Sequence, residues 1–386
     1  MAVVPFNRPY VTGREGLHIR EAIDNRHLSG NGAFTARAQA WLEQRTHARR
    51  ALLTQSCTVA LEMAALVAGV GAGDEIIMPS FTYVSTANAF VLRGATPVFV
   101  DVRADTLNLD ERLIEAAVTS RTRAIVPVHY AGIGCEMDAI REIADRKGLL
   151  VIEDAAQGLL ATYDGRPLGN FGDMGTISFH ETKNVSTGEG GAILINDERL
   201  TPRAHVVWQK GTNRNQFERR EVQQYSWVDL GSSYLPSEIT AAFLWAQLEA
   251  ADEIVRSRVA VWKRYHAAFE DLEREGRLKR PTVPPRCVGN GHLYYAIVPD
   301  APTRDRVLAT LNAHQINAVF HYVPLHSSPA GRKFGRTHDA VPVTDWAAER
   351  LIRLPLWTMM PADVVDRVID VARETIRASC PGGALT

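Results

Sequence analysis

The sequence predicts an α/β protein with a large domain, built on a mixed and mostly parallel sheet flanked by helices, and a smaller C-terminal α+β domain. The first observation is length, because 386 residues are more than one hydrophobic core normally serves. The second is that short apolar runs alternate with helical stretches between residues 48 and 197, a pattern typical of such a sheet. The third is a change of pattern near residue 237, where a long helical stretch begins.

Seven apolar segments are the predicted strands of the large domain. In chain order they are "ARRALLTQS", "DEIIMPS", "TPVFVDV", "RAIVPVHYAG", "LLVIEDAAQ", "DMGTISFHE" and "GGAILIND". The predicted helices between them are "CTVALEMAALVAGV", "STANAFVLRG", "EMDAIREIADRKG" and one that opens near Asp110. Reactive groups in sheets of this kind collect outside the carboxyl ends of the strands. We therefore expect functional side chains where these strands end.

The second part of the chain predicts a separate small domain. Ser237, which follows Pro236, is the predicted N-cap of the long helical stretch. Beyond it, "HLYYAIVP" and "NAVFHYVP" are predicted as strands on either side of the helix "TRDRVLATLNAH", and "DVVDRVIDVARETIRA" as a closing amphipathic helix. We therefore place an N-terminal arm and the large domain in residues 1–250, and the small C-terminal domain in residues 251–386.

Composition argues against several classes of function. The formal net charge is −1, with 46% hydrophobic and 23% charged residues, so no electrostatic feature favours nucleic acid or an anionic membrane as partner. The N-terminus lacks a secretory-signal pattern and no apolar run reaches ~18 residues, which favours a cytoplasmic protein. The cysteines lack metal-ligand spacing, so we expect free thiols and no metal site. They are Cys57, Cys135, Cys287 and Cys380.

A lysine stands within the polar segment "SFHETKNVSTGEGGAILIND", between two apolar runs. In a partly apolar pocket, Lys183 would lose its charge readily and act as an imine-forming nucleophile. Taken alone, a surface lysine in a loop is the better interpretation. Asp154, in "EDAAQ", ends an apolar strand, where a buried carboxylate needs a cationic or hydrogen-bonding partner. Taken alone, it would be a helix N-cap or a turn residue.

Two further segments suggest a ligand. Ser56, Cys57 and Thr58 lie where a strand turns into a helix, and free amide groups at a helix N-terminus bind anions. A simple N-cap by Ser56 is the compatible alternative. Tyr83 follows a strand and could stack on a flat ring, or be a core aromatic. With the lysine and the aspartate, these residues predict pyridoxal 5′-phosphate, to which proteins contribute a lysine and a carboxylate partner for the ring nitrogen.

The chain resembles the fold-type-I, aspartate-aminotransferase-like superfamily and, within it, the nucleotide-sugar aminotransferases of the DegT/DnrJ/EryC1/StrS family. The segments that carry the resemblance are "PSFTYVSTANA", "VIEDAAQ", "SFHETKN" and "GEGGA". The resemblance implies that Lys183 links to the cofactor aldehyde and later moves a proton, while Asp154 pairs with the ring nitrogen. One subfamily has histidine in place of this lysine and dehydrates sugars, so Lys183 argues against that chemistry. Cofactor-binding roles are also implied for Ser56, Cys57, Thr58, Tyr83, Gln157 and Ser178.

A finer resemblance is to the enzymes that make dTDP-4-amino-4,6-dideoxy-D-galactose, through "KGTNRNQF", "WVDLGSSYLPSE" and "VFHYVPLHSSPAG". Many family members carry a "GxNxR" segment by which the neighbouring subunit reaches the phosphate. Here Ser233 stands at the asparagine position, and we expect it to contact the phosphate across a dimer. Asn213 and Arg214 are expected to reach across the dimer towards cofactor or sugar nucleotide. Tyr322 and His326 are expected to contact the sugar, although a lone histidine is more often structural.

The predicted reaction is a ping-pong transamination by a homodimer. L-Glutamate leaves its amino group on the cofactor and departs as 2-oxoglutarate, and the amine then passes to C4 of dTDP-4-keto-6-deoxy-D-glucose. Lys183 would move the proton between two carbons, which requires a base close to both. The alternatives are amination at C3 of a 3-keto sugar, a pyridoxal-phosphate-dependent lyase or aldolase, and a binding protein without turnover. The sequence assigns no arginine to the glutamate carboxylate.

Overall fold

A computed structural model describes residues 2–383, which are organised around a sheet of eight strands. The strands of the chain are β1 (Arg50–Thr54), β2 (Glu75–Pro79), β3 (Thr96–Val100), β4 (Thr122–Ile125), β5 (Leu150–Asp154), β6 (Thr162–Tyr163), β7 (Arg166–Pro167), β8 (Met174–Ser178), β9 (Gly191–Ile195), β10 (Cys287–Val288), β11 (Tyr294–Ile297), β12 (Arg336–Thr337) and β13 (Leu351–Leu354). The central sheet has the order β1-β9-β8-β5-β4-β2-β3-β12. Its pairs are parallel from β12 to β8 and antiparallel at β8-β9 and β9-β1. The predicted mixed, mostly parallel sheet is therefore confirmed.

Helices cover both faces of this sheet and contribute to the smaller domain. They are α1 (Glu15–Asp24), α2 (Ala33–Thr46), α3 (Cys57–Val67), α4 (Val84–Val91), α5 (Ile114–Ala117), α6 (Met137–Lys147), α7 (Thr201–Trp208), α8 (Arg214–Glu218), α9 (Glu238–Glu249), α10 (Ala251–Ala268), α11 (Glu270–Arg274), α12 (Ala301–Ala313), α13 (Pro329–Phe334), α14 (Pro342–Arg350) and α15 (Ala362–Ser379). The helix expected near Asp110 is only a 3₁₀ turn followed by the short α5. Across residues 2–383, none of the helices has the length and apolar character needed to cross a membrane.

The strands place alternate side chains on opposite faces of the sheet, and each face has its own core. Leu53 and Val151 belong to the core that includes residues of α1, α2, α6 and α9. Leu52 and Ile152 belong to the core that includes residues of α3, α4 and α7. Adjacent residues at the end of a strand therefore point into different environments.

The smaller domain packs the two-stranded sheet β11-β13 against α10, α12 and α15. The long helical stretch predicted after residue 237 is divided at Ala250, where α9 ends and α10 begins. Ser237 caps α9 as predicted, because its side chain accepts a hydrogen bond from the Thr240 N–H at 3.3 Å. The core of this domain includes Tyr265, Phe269, Tyr294, Val307 and Ile376.

The segment "NAVFHYVP" is not the strand that the sequence predicts. Within it, Val319 makes a single ladder pair with Arg353. The next carbonyl, that of Phe320, accepts hydrogen bonds from the Arg353 side chain at 3.1 and 3.0 Å, and no backbone N–H within residues 2–383 bonds to it. Residues 319–322 line a large cavity, so their side chains are used there and not for sheet packing.

Two segments cross the predicted domain boundary at residue 250. Near the N-terminus, Val4 forms a parallel bridge with Ile316 and is buried in the core of the smaller domain. The N-terminal arm, which we assigned with the large domain, therefore contacts both domains, since the Tyr10 carbonyl accepts a hydrogen bond from Gln247 of α9. In the other direction, β12 pairs with β3 and extends the large sheet. Each domain is thus completed by a piece of chain from the other side of the boundary.

A buried carboxylate ties the loop after β7 to the end of β5. Glu153 is fully buried, and His129 Nε2 lies 2.8 Å from its Oε2. Such a group is stable in an interior only when its hydrogen bonds are saturated. Saturation comes from three backbone N–H groups that donate to it at 2.6 to 2.9 Å, those of Gly169, Phe171 and Gly172.

Replacing Glu153 with glutamine should lower the free energy of unfolding by about 2–4 kcal/mol, because the new amide NH₂ would face buried N–H donors and leave them unsatisfied. A urea titration followed by circular dichroism measures this loss. Glu142 offers a matched control, since its side chain is 77% exposed on α6, and Glu142→Gln should change the value by no more than about 0.5 kcal/mol. Equally small losses in the two variants would contradict the role given to Glu153.

Candidate active site

A cavity of about 790 Å³ lies where the carboxyl ends of the large sheet meet the smaller domain. The strands β5 and β8 end at this cavity, and the helices α3 and α4 begin there. This is the edge at which an open α/β sheet normally binds its ligand. The structure brings nine of the predicted site residues together here: Ser56, Cys57, Thr58, Tyr83, Asp154, Gln157, Ser178, Lys183 and Tyr322.

The N-terminus of α3 forms one wall of the cavity. Ser56 caps the helix, and its side chain accepts a hydrogen bond from the Val59 N–H at 3.2 Å. The N–H groups of Cys57 and Thr58 belong to the first turn, which has no intrahelical acceptors, and the helix dipole favours an anion there. The strand β9 passes close by, since a Cβ at Gly191 would lie 2.4 Å from the Ser56 carbonyl carbon. This wall is suited to a phosphate group.

Asp154 lies at the end of β5 with only 5% of its surface exposed. Its Oδ2 accepts a hydrogen bond from the Thr86 hydroxyl at 2.7 Å, and its Oδ1 accepts one from the Ala156 N–H at 3.1 Å. Within residues 2–383, no lysine, arginine or histidine nitrogen lies within 4.0 Å of this carboxylate. A buried carboxylate without a cationic neighbour favours a ligand that brings a protonated nitrogen to it.

Gln157 is held on both sides of its amide. Its Oε1 accepts a hydrogen bond from the Ala131 N–H at 2.7 Å, and its Nε2 donates to the Tyr322 hydroxyl at 2.8 Å. Burial raises the pKa of Tyr322, so this hydroxyl keeps its proton and can donate it to a ligand. Tyr83 is 60% exposed at the cavity and precedes α4. Its ring is therefore free to cover a flat ligand.

Lys183 lies in the loop between β8 and β9, just beyond Ser178, the last residue of β8. The loop is folded by backbone hydrogen bonds, including one from the Lys183 N–H to the His180 carbonyl at 2.9 Å. Burial of the side chain lowers the pKa of Lys183, while the negative charge of Asp154 acts in the opposite direction. The amine therefore deprotonates more readily than that of an exposed lysine, as a nucleophile requires.

The structure adds cavity residues that the sequence did not reveal. Arg353 stands in β13, where a charged residue inside the apolar run "LIRL" was an available signal, because charge is costly in a strand packed on a core. The histidines have no local signal, since their contacts are with residues far away in the chain. For His321, the ring Nδ1 lies 2.7 Å from the Tyr130 hydroxyl. The added residues are Arg258, His292, His321 and Arg353.

Three predicted residues lie in another part of the protein. Ser233 and Arg214 line a second cavity of about 700 Å³. The Asn213 side chain accepts a hydrogen bond from the Ser226 N–H at 2.8 Å and so shapes its own loop. Within one chain, these residues do not meet Lys183.

His326 also lies away from the lining of the first cavity. Its Nδ1 is 2.8 Å from the Ser80 hydroxyl, and its Nε2 is 3.5 Å from Asp345. The side chain joins the smaller domain to the end of β2. Both ring nitrogens of His326 face protein groups, and His326 is not among the residues that line the first cavity.

The donors and acceptors of the first cavity fit pyridoxal phosphate. The N-terminus of α3 suits the phosphate, and the buried carboxylate of Asp154 suits a protonated ring nitrogen. The readily deprotonated amine of Lys183 suits the aldehyde. These three groups lie on one cavity and are of the kinds that this cofactor requires.

Fold and site together define a pyridoxal-phosphate-dependent aminotransferase of fold type I, as predicted. More narrowly, the chain belongs to the DegT/DnrJ/EryC1/StrS aminotransferase family, whose family model matches residues 10–373. The chain is 34% identical to GDP-perosamine synthase of Caulobacter vibrioides over 94% of its own length and 95% of that protein. Two solved structures are similar: S. venezuelae DesV in complex with a ketimine intermediate, at 30% identity, TM-score 0.88 and coverage of 98% and 99%, and Spr1654 from Streptococcus pneumoniae in its PMP-form, at 26% identity, TM-score 0.90 and coverage of 97% and 100%.

The lowered pKa of Lys183 predicts that its amine reacts with acetic anhydride at lower pH in the folded protein than in the unfolded chain, since the anhydride attacks only neutral amines. Cofactor-free protein would be treated between about pH 6 and 11, with and without urea, and acetylation at Lys183 followed by mass spectrometry. The pH of half-maximal rate should be lower for the folded protein. The same midpoint with and without urea would contradict the prediction.

Proposed function

We propose that this aminotransferase transfers the amino group of L-glutamate to C4 of dTDP-4-keto-6-deoxy-D-glucose, giving dTDP-4-amino-4,6-dideoxy-D-galactose and 2-oxoglutarate. The meeting of Lys183, Asp154 and the N-terminus of α3 in one cavity supports the chemistry. A sugar nucleotide as acceptor is supported by the relative named as a GDP-perosamine synthase. The choice of dTDP and of C4 is supported by the segments "KGTNRNQF" and "WVDLGSSYLPSE".

Bound pyridoxal phosphate would supply an aldehyde that takes up the amino group and a ring that stabilises negative charge on the adjoining carbon. Asp154 would keep a proton on the ring nitrogen, because its buried charge has no other cationic partner within the described residues. Lys183 would remove the proton from the α-carbon of glutamate and deliver one to C4 of the sugar. Delivery from one side sets the configuration of the new amine.

We propose that Arg353 binds a carboxylate of glutamate. Its Nε and Nη2 donate to the Phe320 carbonyl, which fixes the guanidinium at the cavity. No carboxylate within residues 2–383 lies within 4.0 Å of it. Burial lowers the pKa of Arg353, so an anion in the cavity would relieve an uncompensated charge. A guanidinium is also the side chain best shaped for a carboxylate.

Replacing Arg353 with methionine should lower kcat/KM for L-glutamate about 10- to 100-fold, the effect of losing one charge-assisted contact. The value of kcat/KM for the sugar should change little, because a ping-pong cycle reports each substrate separately. Steady-state kinetics with both substrates varied would measure the two values. Arg332→Met, at an exposed position on α13, is the control and should leave both unchanged. Equal losses for the two substrates in Arg353→Met would refute a donor-specific role.

We propose that two copies of the chain form the working unit. Ser233 and Arg214 line a cavity that does not contain Lys183, which fits residues that serve the site of the other copy. The segment next to this cavity exposes an apolar cluster, and such clusters mark interfaces. The cluster consists of Phe217, Tyr225, Trp227, Val228 and Leu230.

Trp227 is 79% exposed, so a charge there should harm association more than folding. Trp227→Arg is expected to shift the protein from dimer towards monomer in sedimentation equilibrium and to reduce turnover along with it. Val288→Arg, at a position 63% exposed on β10, is the control and should remain dimeric. A fully dimeric Trp227→Arg variant would exclude this cluster from the interface.

Purified protein supplied with pyridoxal phosphate, L-glutamate and dTDP-4-keto-6-deoxy-D-glucose should form 2-oxoglutarate and an amino sugar with the amine on C4, as placed by NMR. Lys183→Ala should form neither product. Turnover only with a 3-keto sugar nucleotide, with the amine on C3, would show that the enzyme is a C3 aminotransferase instead. Cleavage of a substrate without 2-oxoglutarate would indicate a lyase. Turnover only with GDP-linked keto sugars would retain the transamination and change the nucleotide.

A further inference from the structure

His292 is a cavity residue to which the proposed reaction assigns no task. It is 8% exposed, precedes β11 and lines the same cavity as Lys183. Its ring contacts the loop of the lysine, because Nδ1 lies 3.2 Å from Oδ1 of Asn184, the residue directly after Lys183. The histidine is therefore fixed to the chain segment that carries the lysine.

The neighbours of His292 determine which ring nitrogen carries the proton. Asn184 Nδ2 donates to the Asn290 carbonyl at 2.9 Å, and a carbonyl can only accept, so the orientation of this amide is fixed. The atom facing His292 is consequently the amide oxygen, which also only accepts. Nδ1 of His292 must then carry the hydrogen. In a neutral imidazole this leaves Nε2 with a free lone pair.

Asn290 makes this orientation rigid. Its side-chain NH₂ donates to the carbonyls of Gln157 and Leu159 at 2.8 and 2.9 Å. Its Oδ1 accepts a hydrogen bond from the backbone N–H of His292 at 3.1 Å. Asn290 is fully buried, so these bonds are protected from water. One residue thus connects the turn after Asp154, the loop of the lysine and the histidine.

The surroundings keep His292 neutral. Burial lowers its pKa well below the usual value, and the positive charges of Lys183 and Arg258 act in the same direction, as do His321 and Arg353. Arg258 is held close, because its guanidinium donates to the Gly291 and His292 carbonyls at 3.2 and 2.6 Å. Nε2 makes no hydrogen bond with any residue of the described range 2–383, so its lone pair remains available to a donor at the cavity.

We propose that His292 Nε2 accepts a hydrogen bond from the Lys183 amine and holds this amine in place while it is free of the cofactor. His292 is then a positioning residue, which acts through the lysine and exchanges no proton itself. This inference rests on the proposed role of Lys183. A neutral histidine on the cavity of the lysine suits this task better than a second carboxylate, which would add to the effect of Asp154 and favour the charged amine.

Nitrogen NMR of cofactor-free protein labelled with ¹⁵N-histidine tests the proposal without any turnover. The His292 signals, assigned by their loss in His292→Asn, should show a protonated Nδ1 and an unprotonated Nε2. In Lys183→Ala, the Nε2 signal should move towards the position of a nitrogen that accepts no hydrogen bond. A protonated Nε2, or an Nε2 signal unchanged by Lys183→Ala, would overturn the proposal. Neither result depends on which sugar the enzyme uses.

Two substitutions separate positioning from a purely structural tether. In His292→Asn, the side-chain NH₂ can still donate to Asn184, but no acceptor remains at the place of Nε2. In His292→Gln, the amide oxygen can reach that place, although the bond to Asn184 is lost. We expect kcat to fall about 10- to 100-fold in His292→Asn, with KM for L-glutamate unchanged, and to recover substantially in His292→Gln.

The reverse order of kcat, with His292→Asn the more active variant, would show that His292 only tethers the loop. Thermal unfolding of the cofactor-free variants establishes that each one folds. If one variant does not fold, the tautomer and the effect of Lys183→Ala in the NMR experiment still decide the question.

Discussion

Two adjacent carboxylates at the end of β5 are the constraint on which the site depends. Because side chains alternate along a strand, Glu153 and Asp154 point to opposite faces of the sheet. Glu153 is saturated by backbone N–H groups and His129, so its charge serves the fold. Asp154 keeps unused acceptor capacity and has no cationic partner in the described chain, so its charge is available to a ligand. A shift of one residue in β5 would exchange these roles.

Positive charge dominates the interior of the cavity. Apart from Asp154 and the exposed Glu189, the charged residues that line it within residues 2–383 are the buried Arg258 and the half-buried Lys183 and Arg353. Burial penalises each of these cations, and the two arginines donate only to backbone carbonyls. The site therefore holds unpaired positive charge that a phosphate or a carboxylate would compensate. The same burial makes Lys183 a nucleophile, so binding of anions and reactivity of the amine have one physical origin.

The parts of the site that the sequence predicted are those with a local pattern. Lys183 and Asp154 were found because polar residues interrupt apolar strands, and Ser56 because a strand passes directly into a helix. The roles of His292 and Arg353 depend on contacts with Asn184 and Phe320, which no local pattern contains. The failed strand "NAVFHYVP" has the same cause, since its alternation reflects a cavity wall and not a sheet. Tertiary juxtaposition, not propensity, decided these positions.

The two domains contribute different things to the cavity. The groups suited to the cofactor lie on the large domain, at the ends of β5 and β8 and the start of α3. The groups left for substrates come from the C-terminal part of the chain: His321, Tyr322 and Arg353. The two sets of residues nevertheless share a core, because Tyr322 packs on a cluster that joins Phe81 and Tyr130 of the large domain to Tyr295 and Leu351 of the smaller one. Asn290 and His292 also come from the C-terminal part, and they hold the loop of the lysine through Asn184. A rearrangement of the smaller domain that moves Asn290 and His292 would also move the Lys183 amine. The residues available to substrates and the position of the reactive amine are therefore coupled.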